Sequence, residues 1–395
     1  MTRKNVFFYV QHLLGIGHLK RAATLARAMS EEGLDVTVVS GGEEVDVLDQ
    51  HGMTFVQLPP IRTRDRTFSG LVDASGEDVG EDLKQRRAAV LIDAFTSVRP
   101  DVLIVELYPF GRRQLRFELD PLLDAADAMH PRPVIVSSVR DILVEKNRPE
   151  RDRQMVDTAK ARFDAVMVHG DPAFIPLDAT FPLAKEIADM IHYTGYVVEK
   201  TLADAEGGIQ GAGEVIVSSG SGAVGELLLR TAMAARPRTG LSQVTWRLLA
   251  GPSLPDDVFM DLKAAAPDGV IVERARRDFV TLLKNCRLSI SQGGYNTVME
   301  ILATGAKGIA VPYAGGHETE QTLRTRLLAE RGAILQIPES ELNIDRLIDM
   351  IERAEGLPKP KPYPLDMNGA EKAAKLVATW AAHGLESGIA ANQLD

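Results

Sequence analysis

Two hydrophobic rhythms alternate along the chain almost to its end. Short β-branched runs recur at Val6–Val10, Asp35–Val39, Val102–Val105, Val134–Val136 and Ala165–Val168. A second series follows at Val215–Val217, Val244–Leu249, Val270–Val272, Leu288–Ile290 and Gly308–Val311. Between most of them lie Ala/Leu/Arg-rich segments with helical spacing, such as Leu19–Ser30, Ala223–Ala235 and Glu320–Arg331. Strands separated by helices predict right-handed βαβ units and parallel sheets with helices on both faces. Tyr193-Thr-Gly-Tyr-Val197 and a small, polar, Gly-rich stretch from Ala203 to Gly213 divide the two series, a composition that suits a hinge. The pattern predicts two doubly wound α/β domains, 1–197 and 213–370, joined by a linker at 198–212. The remaining stretch, 371–395, carries most of the helical segment Gly369–Ala382, which is expected to pack back on the first domain. Ligands of such sheets bind beyond the carboxyl ends of the strands, so facing domains would enclose a cleft.

Composition narrows the classes. A chain of 395 residues is too long for one compact core, and 45% hydrophobic with 25% charged residues is ordinary for a soluble globular protein. A net charge of −10 without a basic tail argues against a nucleic-acid partner. Cys286 is the only cysteine, which excludes an intrachain disulfide and a cysteine-rich metal site. The apolar run Asn5–Val10 imitates a signal peptide, but Gln11 and His12 interrupt it and no cleavage pattern follows. No apolar stretch is long enough to span a bilayer. A cytoplasmic enzyme is the expectation.

Candidate chemistry concentrates in two loops. Ile290-Ser-Gln-Gly-Gly-Tyr-Asn-Thr-Val-Met-Glu300 reads as a buried strand ending in two glycines that open a helix. Free backbone N–H groups and the positive end of the helix dipole there suit a phosphate, although the same glycines would serve a plain tight turn. Glu300 shares a helical face with Asn296 and Thr297 and could reach sugar hydroxyls beyond the phosphates. In the first loop, Leu14-Gly-Ile-Gly-His-Leu-Lys-Arg21, a Gly-x-Gly dinucleotide reading fails because Lys20 stands at the third glycine and no acid ends the second strand. His18 opens the first helix, and Glu106 ends the later strand Val102–Val105 of the same sheet. A structural histidine is one reading; the other is a His–carboxylate pair that takes a proton from an acceptor hydroxyl.

Together these features resemble glycosyltransferases of the GT-B fold, most closely the bacterial group with the lipid-II-forming N-acetylglucosaminyltransferase, and more distantly the plant natural-product enzymes. Ser291-Gln-Gly-Gly-Tyr-Asn-Thr-Val-Met-Glu300 is similar to the plant His-Cys-Gly-Trp-Asn-Ser-x-x-Glu core, and Ala303–Pro312 resembles the segment after it. Glu320-Gln321 matches the acidic-or-amide/Gln pair, Val217-Ser-Ser-Gly-Ser-Gly222 the phosphate-touching loop, and Tyr193-Thr-Gly-Tyr the domain join. The resemblance implies a donor site in which Gly293, Gly294, Tyr295 and Asn296 hold the diphosphate and Glu300 the ribose. Ser219 and Ser221 would add donors, Glu320 and Gln321 would hold the hexose, and Gly17, Arg276 and Gln292 belong to the same donor set. His18 is implied as the base and Glu106 as its carboxylate partner. Gln292 replaces a plant histidine that contacts a phosphate, and Arg274 or Ala275 falls where an aromatic residue would face the nucleobase.

The implied reaction moves a hexose from a nucleotide sugar, a UDP-sugar favoured, to an acceptor hydroxyl with inversion. No Asp-x-Asp triad is present, so no metal is expected, and no cofactor beyond the nucleotide-sugar substrate. Hydrolysis or 2-epimerisation of a nucleotide sugar is the alternative on this fold, and a non-catalytic nucleotide-sugar sensor a third class. Arg62, Arg64 and Arg66 form an expected basic loop, while Arg112, Arg113 and Arg116 follow Glu106 and Arg140 ends a strand. Arg62, Arg112, Arg113 and Arg140 are the acceptor-side candidates: a solvated charged face, an anionic acceptor and weak contact with acidic lipid headgroups all fit such runs.

Overall fold

The computed structural model describes residues 3–13, 16–45, 52–65, 70–143, 149–198, 208–220, 225–315, 319–360 and 363–385. Its contacts divide the chain into two units, Met1–Val197 with Leu365–Asp395, and Val198–Pro364. The first unit opens with β1 (Asn5–Val10), α1 (Gly17–Glu31), β2 (Asp35–Ser40), β3 (Met53–Gln57), β4 (Ile61–Thr63) and β5 (Leu71–Asp73). It continues with α2 (Glu81–Val98), β6 (Val102–Glu106), α3 (Arg116–Ala128), β7 (Val134–Arg140), α4 (Pro149–Arg162), β8 (Ala165–His169) and β9 (Ile191–Tyr193). Seven of these strands form one parallel sheet in the order β3-β2-β1-β6-β7-β8-β9. Near-continuous apolar runs such as Val6–Val10 are the mark of strands covered on both faces, and those five residues are fully buried.

The second unit contains β10 (Val215–Ser218), α5 (Glu226–Ala235), β11 (Trp246–Ala250), α6 (Asp256–Ala264), β12 (Val270–Arg274) and α7 (Phe279–Asn285). Then come β13 (Leu288–Gln292), α8 (Tyr295–Thr304), β14 (Gly308–Val311), α9 (Glu320–Glu330), β15 (Leu335–Gln336) and α10 (Ile344–Gly356). Its parallel sheet runs β12-β11-β10-β13-β14-β15. The strand order of each sheet reverses once, between β1 and β6 and between β10 and β13. At such a switch point the two adjacent loops leave toward opposite faces and open a crevice at the carboxyl ends.

The chain then returns to the first unit as α11 (Gly369–His383). Ala373, Ala374, Val377 and Trp380 of this helix share one core with Leu19, Ala22, Leu25, Ala26 and Met29 of α1. The outgoing and returning segments pair: Tyr196 N donates to Asp366 O at 2.6 Å, Gly369 N donates to Tyr196 O at 3.0 Å, and Val197 bridges Asn368. A Cβ on Gly369 would lie 2.4 Å from Gly195 O, so the two backbones meet where only glycine fits.

Three features differ from the pattern reading. Met53–Gln57 forms an additional edge strand, and its short, half-polar sequence explains why periodicity misses it. Arg62 lies on β4, which pairs antiparallel with β5, rather than in a basic loop; Arg66 lies outside the described residues. A buried ion pair, Arg87 with Glu118 at 2.8 Å, joins α2 to α3, and Arg87 also donates to Gly41 O and Gln11 Oε1.

Candidate functional site

At the β1/β6 switch point, α1 begins at Gly17 and places His18 in its first turn while β6 ends on Glu106. His18 Nδ1 lies 3.0 Å from Glu106 Oε1. Glu106 has no solvent exposure, and 15% of the His18 side chain remains exposed. Arg21, one turn after His18 on α1, forms a second ion pair with Glu106 Oε1. Ser138 stands opposite Glu106 in the β6–β7 register, and its hydroxyl donates to Glu106 Oε2 at 2.6 Å. The network continues through His169, whose Nε2 lies 3.0 Å from Ser138 Oγ and whose Nδ1 lies 2.8 Å from Thr194 Oγ1.

The donor directions in this chain follow from charge. Burial pushes the Glu106 carboxyl upward, but Arg21 and the hydrogen bonds from His18 and Ser138 outweigh it and hold the group well below the usual carboxylate range. An ionised carboxylate only accepts, so His18 carries its proton on Nδ1 and keeps Nε2 as the basic nitrogen. Ser138, donating to Glu106, accepts from His169 Nε2–H, and His169 Nδ1 accepts from Thr194. Burial first, then the nearby arginine charges, lowers His18 to about 3, against the upward pull of Glu106. Burial and Arg21 lower His169 to about 3. Both imidazoles are neutral at neutral pH.

Arg112 and Arg140 press on the same histidine: both lower the His18 pKa electrostatically. Arg140 ends β7 two residues after Ser138, on the same face of the strand. Arg112 sits in the loop after β6 in the left-handed region, at φ 59. The other two acceptor-side arginines lie elsewhere: Arg62 pairs with Glu43 at 3.1 Å and is 39% exposed, and Arg113 is exposed at the start of a short 3₁₀ turn.

In the second unit, the loops after β10 and β13 flank that sheet's switch point. Gly294 caps α8, a ten-residue helix, with extended backbone and no side-chain cap hydrogen bond. A Cβ on Gly293 would come within 2.8 Å of Thr325 Cγ2 and 3.2 Å of Pro312 Cβ, whereas one on Gly294 would meet nothing within 4 Å. Gly293 is therefore a packing glycine, and Gly294 faces open space. Tyr295 and Glu300 are buried on α8, while Asn296 is half-buried. Gln292 is buried at the end of β13, and a Cβ on Gly220 would lie 4.0 Å from its Oε1.

Several donor-side residues are held by the protein itself. The Ser219 hydroxyl donates to Leu249 O at 3.3 Å and accepts from Gly251 N at 3.0 Å, turning it into the β10–β11 junction. Ser221 lies outside the described residues. Arg276 is tied to Asp278 at 2.6 and 2.8 Å and to Glu273 at 3.4 Å. Arg274 donates to Gly251 O and Leu254 O and lies over the Phe259 ring at 4.2 Å. Glu320 is buried and paired with Arg324 at 2.8 Å, and Arg324 lies 5.0 Å from the Tyr295 ring centre. Gln321 Oε1 accepts from Tyr313 N at 3.1 Å and so ties the start of α9 to the end of β14.

Arg21, Ser138, His169 and Arg324 are given no role at the site in the sequence reading. Two carried a spacing signal: Arg21 follows His18 by three residues and Arg324 follows Glu320 by four, so each pair shares a helical face. Ser138 and His169 reach the site through sheet register alone. Among the described residues, no group of three or more His, Cys, Asp or Glu side chains is placed to hold a metal ion, and no helix is long and apolar enough to cross a membrane.

Residues 265–379 match the glycosyltransferase family 28 C-terminal domain. A stretch of 116 residues is 33% identical to the UDP-N-acetylglucosamine--N-acetylmuramyl-(pentapeptide) pyrophosphoryl-undecaprenol N-acetylglucosamine transferase of Exiguobacterium sibiricum, covering 29% of this chain and 32% of that one. The matches span about a fifth to a third of the length of such curated relatives. Among solved structures, the spinosyn forosaminyltransferase SpnP superposes with a TM-score of 0.60 at 15% identity, covering 99% of this chain and 98% of its own. MurG of Acinetobacter baumannii does so with a TM-score of 0.54 at 15% identity, covering 95% and 99%. The chain has the GT-B fold of two Rossmann-like domains, and its second unit is related to the family 28 glycosyltransferases, the lipid-II-forming transferases among them.

Proposed function

We propose that the protein transfers a hexose from a nucleoside-diphosphate sugar, preferentially a UDP-sugar, to an acceptor hydroxyl with inversion and without a metal ion. The observation that carries this reading is the buried Glu106, which orients His18 through Nδ1 and leaves Nε2 unprotonated at a sheet switch point. In the reaction His18 Nε2 takes the acceptor hydroxyl proton as the acceptor oxygen forms its bond to the anomeric carbon. The bond from that carbon to the β-phosphate oxygen breaks, and the nucleoside diphosphate leaves with the electron pair. Ionised Glu106 stabilises the imidazolium that develops on His18. Charge growing on the leaving phosphate meets the N-terminus of α8 at Gly294, Tyr295 and Asn296, preorganised dipoles that need no cation.

Glu300 is assigned to the ribose hydroxyls and Glu320 with Gln321 to the hexose. Arg324 and the Tyr313 main chain hold those two side chains in place, a support the sequence reading did not include. Ser219 is not assigned to the phosphates, since its hydroxyl and its main-chain N–H are both engaged at the β10–β11 junction.

A thermal-shift screen against UDP-, dTDP- and GDP-sugars tests donor recognition. His18→Ala should retain donor binding and lose donor turnover in the presence of an extract supplying acceptors, whereas Glu300→Ala should weaken donor binding. Undiminished turnover in the first variant sinks the base assignment. Free hexose released without acceptor would instead indicate a hydrolase, and a second nucleotide sugar in the NMR spectrum a 2-epimerase.

A further inference from the structure

Arg287 and Lys307 stand at the amino ends of neighbouring strands, one residue before β13 and one before β14. This end of the second unit's sheet lies opposite the Gly293-Gly294 turn; β13 has five residues, so the two ends are roughly 17 Å apart. The parallel register Ser289↔Gly308, with Ser289 N donating to Lys307 O at 2.8 Å, holds the two backbones side by side. Glu355 reaches the same place from the last turn of α10, and Lys359 from the segment after that helix. With Cys286, these four side chains line a cavity of about 230 Å³, far more than one water needs.

The lining carries three cations and one carboxylate. That carboxylate is already committed: Arg287 Nε donates to Glu355 Oε2 at 2.7 Å, and Arg287 Nη2 pairs with the same oxygen. Lys307 Nζ has one long bond, to Glu355 O at 3.4 Å, although an ammonium group has three donors. Lys359 has no side-chain hydrogen bond or ion pair among the described residues. Glu214, whose main chain accepts from Arg287 N, has its carboxylate bonded to Arg247 at 2.7 and 2.9 Å. Burial pushes the Cys286 thiol up to about 12 against the pull of Lys359, so it adds no negative charge. Three cations against one carboxylate leave two positive charges at one cavity, in a chain whose net charge is −10. The backbone that carries Lys359 is also stiff. Pro358 and Pro360 flank it, and a residue before proline is confined to extended conformations, so little backbone freedom is lost when its ammonium is held.

We infer that this cavity is a second anion site, at the opposite end of the sheet from the donor diphosphate, and that it takes a phosphate monoester. Such a group carries close to two negative charges at neutral pH and matches the two surplus cations better than a carboxylate with one. The ammonium groups of Lys307 and Lys359 and the guanidinium of Arg287 supply charge-assisted donors to its oxygens. The site lies wholly within the second unit and needs neither a sugar donor nor an acceptor.

The test titrates inorganic phosphate into the full chain by calorimetry, at pH about 7.5 where phosphate is mainly the dianion, and at constant ionic strength. UDP is kept present so that a diphosphate site elsewhere is filled. Wild type should take up a phosphate that the double variant Lys307→Gln with Lys359→Gln binds roughly ten-fold or more weakly, two charge-assisted contacts being lost. Should that variant fail to fold, Lys359→Gln alone, at an exposed side chain, carries the comparison and should weaken uptake in the same direction. Glu355→Gln acts in the opposite sense: its amide oxygen still accepts from Arg287 while the negative charge is gone, so phosphate should bind roughly two- to five-fold more tightly. Two further arms identify the source of the phosphate. Pelleting of wild type, but not of the lysine variants, with phosphatidylcholine vesicles containing phosphatidic acid assigns it to a lipid headgroup; uptake of glycerol phosphate without pelleting assigns it to a soluble molecule. Equal phosphate affinity in wild type and the lysine variants, weaker binding by Glu355→Gln, or acetate bound as tightly as phosphate overturns the inference. Each of these leaves the donor assignment standing, and a failure of UDP to bind leaves the comparison between variants intact.

Discussion

Ser138→Ala is the sharpest probe of the buried network, because this one hydroxyl bonds two of its groups at once. It donates to Glu106 Oε2 at 2.6 Å and accepts from His169 Nε2 at 3.0 Å, all three residues having no solvent exposure. Removing it deprives a buried carboxylate of a hydrogen bond, worth roughly 1.5–3 kcal/mol for a charged acceptor, and strands a buried imidazole N–H at about 1–3 kcal/mol. The cavity left by one oxygen adds little, so the first unit should lose about 3–5 kcal/mol. The chain has two units, and a single unfolding curve would mix them. Its two tryptophans separate the signals: Trp246 is buried in the second unit and Trp380 in α11 of the first. In a Trp246→Phe background, fluorescence during urea unfolding reports the first unit alone. A second substitution, Ser138→Ala with His169→Phe, removes the stranded N–H as well and should cost less than the sum of its parts. A loss below about 1 kcal/mol, the size expected of an ordinary exposed hydroxyl, would refute the network as drawn.

Acid should destabilise the first unit well above the carboxylate range. His12, His18 and His169 are lowered to about 4, 3 and 3, so below pH 6.5 the unfolded chain binds protons that the folded chain does not; their contribution is full above pH 6.5 and is lost as pH falls toward 3, with a limiting slope of roughly 4 kcal/mol per pH unit for three protons. Urea midpoints of the Trp380 signal that stay level between pH 7 and pH 5 would contradict this. Glu118→Ala leaves Arg87 buried without its carboxylate and should cost about 3–5 kcal/mol in the same assay, while Glu118→Ala with Arg87→Leu should recover much of it. Gly294→Ala should leave the melting temperature within about 2 °C of wild type, since its methyl meets nothing within 4 Å, yet weaken UDP binding by standing in front of α8; Gly293→Ala should lower the melting temperature because Thr325 and Pro312 must give way. Equal effects on melting from the two variants would refute that division of labour.

The fold was legible because both sheets are parallel and buried. Their strands are apolar runs, and helical spacing fills the gaps between them, so the alternation alone yields two doubly wound sheets. What escaped it was edge structure: Met53–Gln57 is half-polar, and Leu335–Gln336 is two residues long. The candidate site was legible wherever function sits at a loop or a strand end, as with His18, Glu106 and Gly294. Ser138 and His169 lie inside β7 and at the end of β8, and their proximity to Glu106 arises from register between strands far apart in sequence. Ser219 shows the complementary case. Its residue type and loop suit a phosphate donor, but Gly225 packs against its Cβ and its hydroxyl turns inward, a direction that composition does not encode.

The return of α11 to α1 has a consequence for how the protein comes into being. A ribosome makes the first 197 residues, then all of the second unit, and only afterwards the helix that covers Leu19, Leu25 and Met29. Until Trp380 emerges, a nascent first unit presents the apolar flank of α1 to the cytosol or to a chaperone. The second unit, contiguous in sequence, closes its own core first. The part of the protein that holds His18 is thus begun first and completed last, after translation has passed the entire second unit.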